Sequence, residues 1–241
     1  MSVAVFPAMS PTRSPRELSL VDVRRAPAEE PGVEHVDLVT DRGVIACRLQ
    51  DAPAVDTSAR DAAVLWVFGA GGGFHGPAGG LYDRLGAQLA PEGLASLQVA
   101  YRRPADLVEC VLDVLVALAY LADRGRTRVV LVGHSFGGAV VITAGAASDA
   151  VIAVAALSSQ TAGTAAVARL APRPLFVAHG TADEVLPDQC SRDIYARAGE
   201  PKRLVLYPGC RHGLDACRDA LDADLTAWLR DVTGLGASLA A

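Results

Sequence analysis

Val129-Val130-Leu131-Val132-Gly133-His134-Ser135-Phe136-Gly137-Gly138 is the stretch of this 241-residue chain that decides its fold. A short, valine-rich apolar run that ends at glycine predicts a strand buried on both faces. Gly133-His134-Ser135-Phe136-Gly137 follows at once and leads into small and apolar residues of helical character, Phe136 to Ala147. A serine between a buried strand and a helix has to make a sharp turn. Glycines two positions to either side relieve the crowding of that turn, and the turn lifts the Ser135 hydroxyl clear of the sheet. The same geometry puts the Phe136 N–H at a helix start, where it can donate to a developing oxyanion. A glycine-rich turn carrying an incidental serine is the plain alternative; the strand before and the helix after argue against it.

Outward from this stretch, similar apolar runs recur at Ala63 to Phe68, Ala95 to Tyr101, Val151 to Leu157, Leu175 to His179 and Leu204 to Tyr207. Between the runs lie segments of helical character: Leu81 to Ala90, Ala105 to Asp123, Thr164 to Leu170, Pro187 to Ala198 and Leu214 to Asp231. Alternation of this kind predicts an α/β protein with a mostly parallel, doubly wound sheet, helices on both faces and ligands outside the carboxyl ends of the strands. Ahead of it, Val36 to Leu49 divides around Thr40-Asp41-Arg42-Gly43, whose turn chemistry predicts an antiparallel edge hairpin. The sheet should then hold about eight strands, and the roughly dozen residues between Ser159 and Arg173 are too few for a cap domain. Residues 1–32, with Pro7, Pro11, Pro15, Pro27 and Pro31, read as an extended arm, so a single domain is expected over 33–241.

An alcohol is a poor nucleophile near neutral pH, so Ser135 needs a base, and imidazole titrates in the useful range. Of five histidines, His212 follows the last strand in Tyr207-Pro208-Gly209-Cys210-Arg211-His212-Gly213-Leu214, a loop able to lean over a strand end. His35 sits in the edge hairpin, His134 is expected to turn its ring elsewhere, and His179 reads as a core group at the end of a buried strand. The base in turn needs a carboxylate on its other nitrogen. Asp183 in His179-Gly180-Thr181-Ala182-Asp183-Glu184-Val185-Leu186-Pro187 follows a strand end and is preferred over Glu184 and Asp188. The order serine, acid, histidine results.

The glycine-rich Phe68-Gly69-Ala70-Gly71-Gly72-Gly73-Phe74-His75-Gly76 lets backbone N–H groups approach an anion closely. It lacks the lysine and following Ser or Thr of a phosphate loop, and no acidic partner stands at the spacing of a dinucleotide site. Composition narrows the classes further. With 51% hydrophobic and 20% charged residues the chain can form a large core, and a net charge of -5 gives no field for a phosphate backbone. Nucleic acid is therefore not an expected partner. The five cysteines, Cys47, Cys110, Cys190, Cys210 and Cys217, have neither C-x-x-C nor zinc-finger spacing, so no disulfide framework is expected, and Cys210 reads as a small buried hydrophobe rather than a nucleophile. Apolar stretches such as Val114 to Ala122 fall far short of the ~18 residues of a membrane span. With no secretory signal recognisable, a cytoplasmic location is expected.

With these residues assembled, the chain resembles the α/β-hydrolase superfamily from about Val33 to Leu229, most closely its small cap-less members such as dienelactone hydrolases and short-chain carboxylesterases. Gly133 to Gly137 is similar to the family elbow, Gly180 to Asp183 to its acid turn and Gly209 to Leu214 to its histidine loop. The resemblance implies an α/β-hydrolase domain with Ser135, Asp183 and His212 as a triad and the Phe136 N–H as an oxyanion donor. A second donor would be the N–H of Ala70 by analogy with the family, or that of Gly71 if the glycines are read as a lipase-like run. Phe68-Gly69 stands where the family usually has His-Gly. Typical dienelactone hydrolases use a cysteine nucleophile; serine here shifts the expectation toward ester or thioester cleavage.

Phe74, His75, Tyr101 and Arg102 follow strand ends and are candidates to line an acyl or alcohol pocket. The expected activity is hydrolysis of a small-molecule acyl substrate through an acyl-enzyme, with no metal or organic cofactor. Two other readings stand beside it: acyl transfer to an alcohol or amine by the same triad, and a non-catalytic binding module on a hydrolase scaffold.

Overall fold

A computed structural model describes residues 17–52 and 61–235. Its sheet has nine strands in the order β1-β2-β3-β5-β4-β6-β7-β8-β9. β1 (Leu20–Pro27), β2 (Val33–Thr40) and β3 (Gly43–Gln50) form an antiparallel meander, with Thr40 opposite Gly43 across the expected hairpin turn. β3 runs antiparallel to β5 (Ala95–Ala100); from there β4 (Ala62–Val67), β6 (Arg128–His134), β7 (Val151–Leu157), β8 (Leu175–Gly180) and β9 (Lys202–Tyr207) are all parallel.

Side chains alternate between sheet faces along a strand, so a strand apolar throughout serves two cores at once. In β4, Ala63, Leu65 and Val67 join one core while Ala62, Val64 and Trp66 join the other. The first core is closed by α2 (Leu107–Asp123), α3 (Phe136–Gly145) and α4 (Gln189–Arg197), the second by α1 (Pro77–Leu89) and α5 (Arg218–Thr233). This is the doubly wound arrangement. Between β7 and β8 the only helical element is a short turn of 3-10 helix, Val167–Leu170, so the strand ends carry no cap domain.

The sheet starts earlier than its sequence indicates. Leu20–Pro27 lies inside the stretch read as an arm, yet it pairs with β2 along its length, which raises the strand count from about eight to nine. An edge strand has one neighbour and is mostly exposed, so Arg24 and Arg25 are tolerated and no apolar run marks it. Pro27 ends the strand, a place where its missing N–H costs no ladder bond. Pro7, Pro11 and Pro15 lie outside the described residues.

Candidate active site

β6 delivers Ser135 to the carboxyl edge of the sheet. Its backbone has φ 58° and ψ -122°, a left-handed conformation costly for a residue with a Cβ, and α3 begins at the next residue. The conformation is over-determined by its surroundings. The Ser135 N–H donates to Leu157 O at 2.8 Å, and a Cβ on Gly133 would collide with the backbone of Gly137. The turn leaves the Phe136 amide at the first position of a helix, with no residue before it to accept. Gly69, in the loop after β4, lies against the serine: a Cβ there would be 3.5 Å from Ser135 Cβ.

Asp183 sits in the loop after β8 with its carboxylate fully buried. Oδ1 accepts from the amides of Val185 and Leu186, each at 2.8 Å, and Oδ2 is 2.7 Å from Nδ1 of His212. Burial alone would push this carboxyl up; the Leu186 amide, His212 and the Val185 amide outweigh it and hold the group below the ordinary carboxylate range. An ionised acid on Nδ1 makes that nitrogen the protonated one, which leaves Nε2 with a lone pair. Among the described residues Ser135 Oγ has no hydrogen bond to His212.

The backbone around His212 is tied down on several sides. Its N–H donates to Glu184 Oε2 at 3.3 Å, the Gly213 carbonyl accepts from Ala78 N–H at 2.7 Å, and the His134 ring nitrogen Nε2 donates to the His212 carbonyl at 2.9 Å. The His134 ring, expected to point elsewhere, packs between Phe68 and the His212 ring, with centroids 5.4 and 4.8 Å away. Burial lowers its pKa to about 4, so it is neutral while it supports the loop. Cys210 and Cys217, which carried no pairing signal, are joined by a disulfide across a Cα separation of 5.9 Å. The short 3-10 turn Asp215–Cys217 folds back to bring them together, and the bridge closes a ring containing His212.

The four candidate substrate contacts divide. Arg102 is withdrawn: its side chain is 3% exposed, with Nε donating to Asp113 Oδ1 at 2.5 Å and Nη2 to Glu109 Oε2 at 2.9 Å. Its fork is consumed beneath the strand end. Tyr101 is withdrawn as well, because its ring is buried edge-on to Phe136 and its hydroxyl donates to Phe68 O at 3.2 Å, bracing the loop from below. Phe74 is half-buried under the Arg48 guanidinium, 5.9 Å from the ring centre, and His75 pairs with Asp83 at 2.5 Å while its N–H donates to Gln98. Both lie on the far part of the loop, against β3 and β5.

The sequence profile of the dienelactone hydrolase family matches residues 70–234, a span that holds Ser135, Asp183 and His212. The chain belongs to that family. A relative, the uncharacterized protein YfhR of Escherichia coli, is 32% identical over 138 residues, and the match covers 48% of each chain, so about half the length of that relative is spanned. Among solved structures, the family member from Anabaena variabilis, a dienelactone hydrolase, superposes with a TM-score of 0.68 at 16% identity over 87% of this chain and 98% of that one. Est1E from Butyrivibrio proteoclasticus gives 0.67 at 18% identity over 84% and 99%. At these identities the likeness is one of fold. No helix among the described residues is long and apolar enough to cross a membrane.

Proposed function

We propose that this dienelactone hydrolase family member is a serine hydrolase that cleaves a carboxylic ester or thioester through an acyl-enzyme. The observation that carries the reading is the 2.7 Å contact between a buried Asp183 carboxylate, clamped by two amides, and Nδ1 of His212, on a loop packed against the Ser135 turn through His134. Ser135 Oγ attacks the acyl carbonyl and gives its proton to His212 Nε2, while Asp183 holds the ring and stabilises the imidazolium. The oxyanion is received by the Phe136 N–H and by the Ala70 N–H, favoured over Gly71 because its neighbour Gly69 packs on Ser135. His212 then protonates the leaving alcohol or thiol. Water, activated by the same imidazole, attacks the acyl-serine, and the acid leaves.

The test is a panel of p-nitrophenyl esters and acyl thioesters of increasing chain length, assayed on the wild type and on Ser135→Ala. Turnover of at least one substrate, reduced about 10⁴-fold or more in the variant, supports the reading. Turnover that survives Ser135→Ala overturns it. If an added alcohol captures the acyl group in preference to water, the triad stands and the enzyme is a transferase. A reducing cytosol would keep Cys210 and Cys217 as thiols, so the disulfide between them speaks against the cytoplasmic location expected from sequence, and a thiol count on protein isolated under alkylating conditions decides between the two.

A further inference from the structure

A second histidine reaches the acid. His179, in β8, is fully buried and brings Nε2 to 2.9 Å from Asp183 Oδ2, the same oxygen that meets His212. The Leu186 carbonyl lies 3.1 Å from that nitrogen. Two acceptors therefore face Nε2, and a lone pair there would be repelled by both, so Nε2 carries a proton. The other ring nitrogen is 2.7 Å from the hydroxyl of Ser191, itself buried on α4. By donating to Nδ1, that hydroxyl fixes the tautomer whose Nε2–H donates to the Leu186 carbonyl, with Asp183 Oδ2 beside it.

Hydrogen-bond accounting gives the contact a purpose. Oδ1 of Asp183 is occupied by two amides, one of them that of Leu186, and Oδ2 by His212, while His179 holds the Leu186 peptide by its carbonyl and sets Nε2 beside Oδ2 without a hydrogen bond to it. Without His179 the Leu186 carbonyl would lose this donor, and the peptide whose N–H clamps Oδ1 would be freer to move. We propose that His179 is a positioning residue, held by Ser191, whose Nε2–H anchors the Leu186 peptide that clamps Oδ1 and, lying beside Oδ2, keeps the Asp183 carboxylate aligned on His212. The proposal rests on the hydrolase reading above. Titratable groups around His179 are Asp183 after β8, His212 after β9 and His134 on β6, while α4 offers the neutral Ser191.

The experiment measures the rate at which a fluorophosphonate labels Ser135 across about pH 5 to 9, the range in which an imidazole base switches on. It compares the wild type with His179→Leu, which has no donor, His179→Gln, whose amide can donate from the same reach, and Ser191→Ala. His179→Leu is expected to label about tenfold or more slowly, as small misplacements of catalytic groups do. Its acid limb should move up by about half a unit or more, because loss of the N–H dipole beside Oδ2 leaves more charge there for the imidazolium. His179→Gln should regain most of the rate.

Unchanged rate and limb in His179→Leu overturn the proposal, as does an equal loss in both His179 variants with the limb unmoved, which would mean packing alone. If His179→Leu does not fold, Ser191→Ala decides: a slower rate with the limb displaced upward supports the role, and a wild-type profile refutes it. A wild-type protein that fails to label at Ser135 removes the hydrolase reading and this proposal together.

Discussion

Two groups of buried ionisable side chains stand at the carboxyl edge of the sheet, and they differ in what they leave unspent. After β5, Arg102 is enclosed by Asp113, Glu109 and the Arg42 carbonyl, so its guanidinium faces protein on every used side. After β8, Asp183 is just as buried, but the chain of bonds it starts ends at His212, whose ring is 15% exposed and whose Nε2 makes no hydrogen bond among the described residues. Both stand where ligands gather in this fold. Position after a strand end is thus not what makes a residue functional. A network that closes on itself holds structure, whereas one that stops at an open nitrogen can pass on a proton.

The largest effect expected from this contrast is at Asp183. Asp183→Asn turns an amide where Nδ1–H needs an acceptor and should lower turnover of any accepted ester about 10³-fold or more, with far less effect on folding. If stability falls and turnover does not, the two networks are alike and the contrast fails. Arg102→Met should do the reverse, lowering the unfolding free energy by about 3 kcal/mol as the fully buried Asp113 loses its partner. Its kcat/KM should stay within about threefold of wild type, as for a residue outside the site. A raised KM with unchanged stability would restore Arg102 as a substrate contact.

His134 joins the two kinds of behaviour, since it is neutral, buried and packed on the base. Its pKa is lowered to about 4 in the fold by burial, so the unfolded chain takes up the proton first as pH falls. Stability should therefore decline between the unfolded value, roughly 6.5, and about 4, by at most about 3 kcal/mol from this group. His134→Gln, which keeps a donor for the His212 carbonyl, should flatten that part of the denaturation profile. An acid profile unchanged in the variant would show that His134 is not the buried neutral group described. Smallest is Tyr101→Phe, which removes one hydrogen bond to Phe68 and should cost about 1 kcal/mol of stability with KM unaltered.

Much of this was legible in the chain. Every predicted run from Ala63 to Tyr207 became a parallel or adjoining strand, because a strand buried on both faces has to be apolar throughout, and Gly133 and Gly137 declare the turn at Ser135 because a Cβ at either would collide with neighbouring backbone. β1 escaped notice because an edge strand needs no apolar pattern. Arg102 and Tyr101 were misjudged because sequence gives a residue's place along a strand but not its partners: nothing in the spacing shows that Asp113 and Glu109 of α2 rise to meet Arg102. Cys217 lies only seven residues from Cys210, but the spacing does not show that the Asp215–Cys217 turn folds back to pair them, and the ring of His134 meets the His212 loop only once the fold is closed. The four-residue spacing of His179 and Asp183 was visible, but whether they touch depends on how the loop after β8 turns back.

An activated Ser135 forms a covalent adduct with a serine-directed phosphonate, so labelling decides whether it is the nucleophile. Folded protein treated with a fluorophosphonate and mapped by mass spectrometry should carry the adduct on Ser135, with none in Ser135→Ala. Absence of an adduct on folded wild-type protein, or an adduct that persists in the variant, would contradict the account.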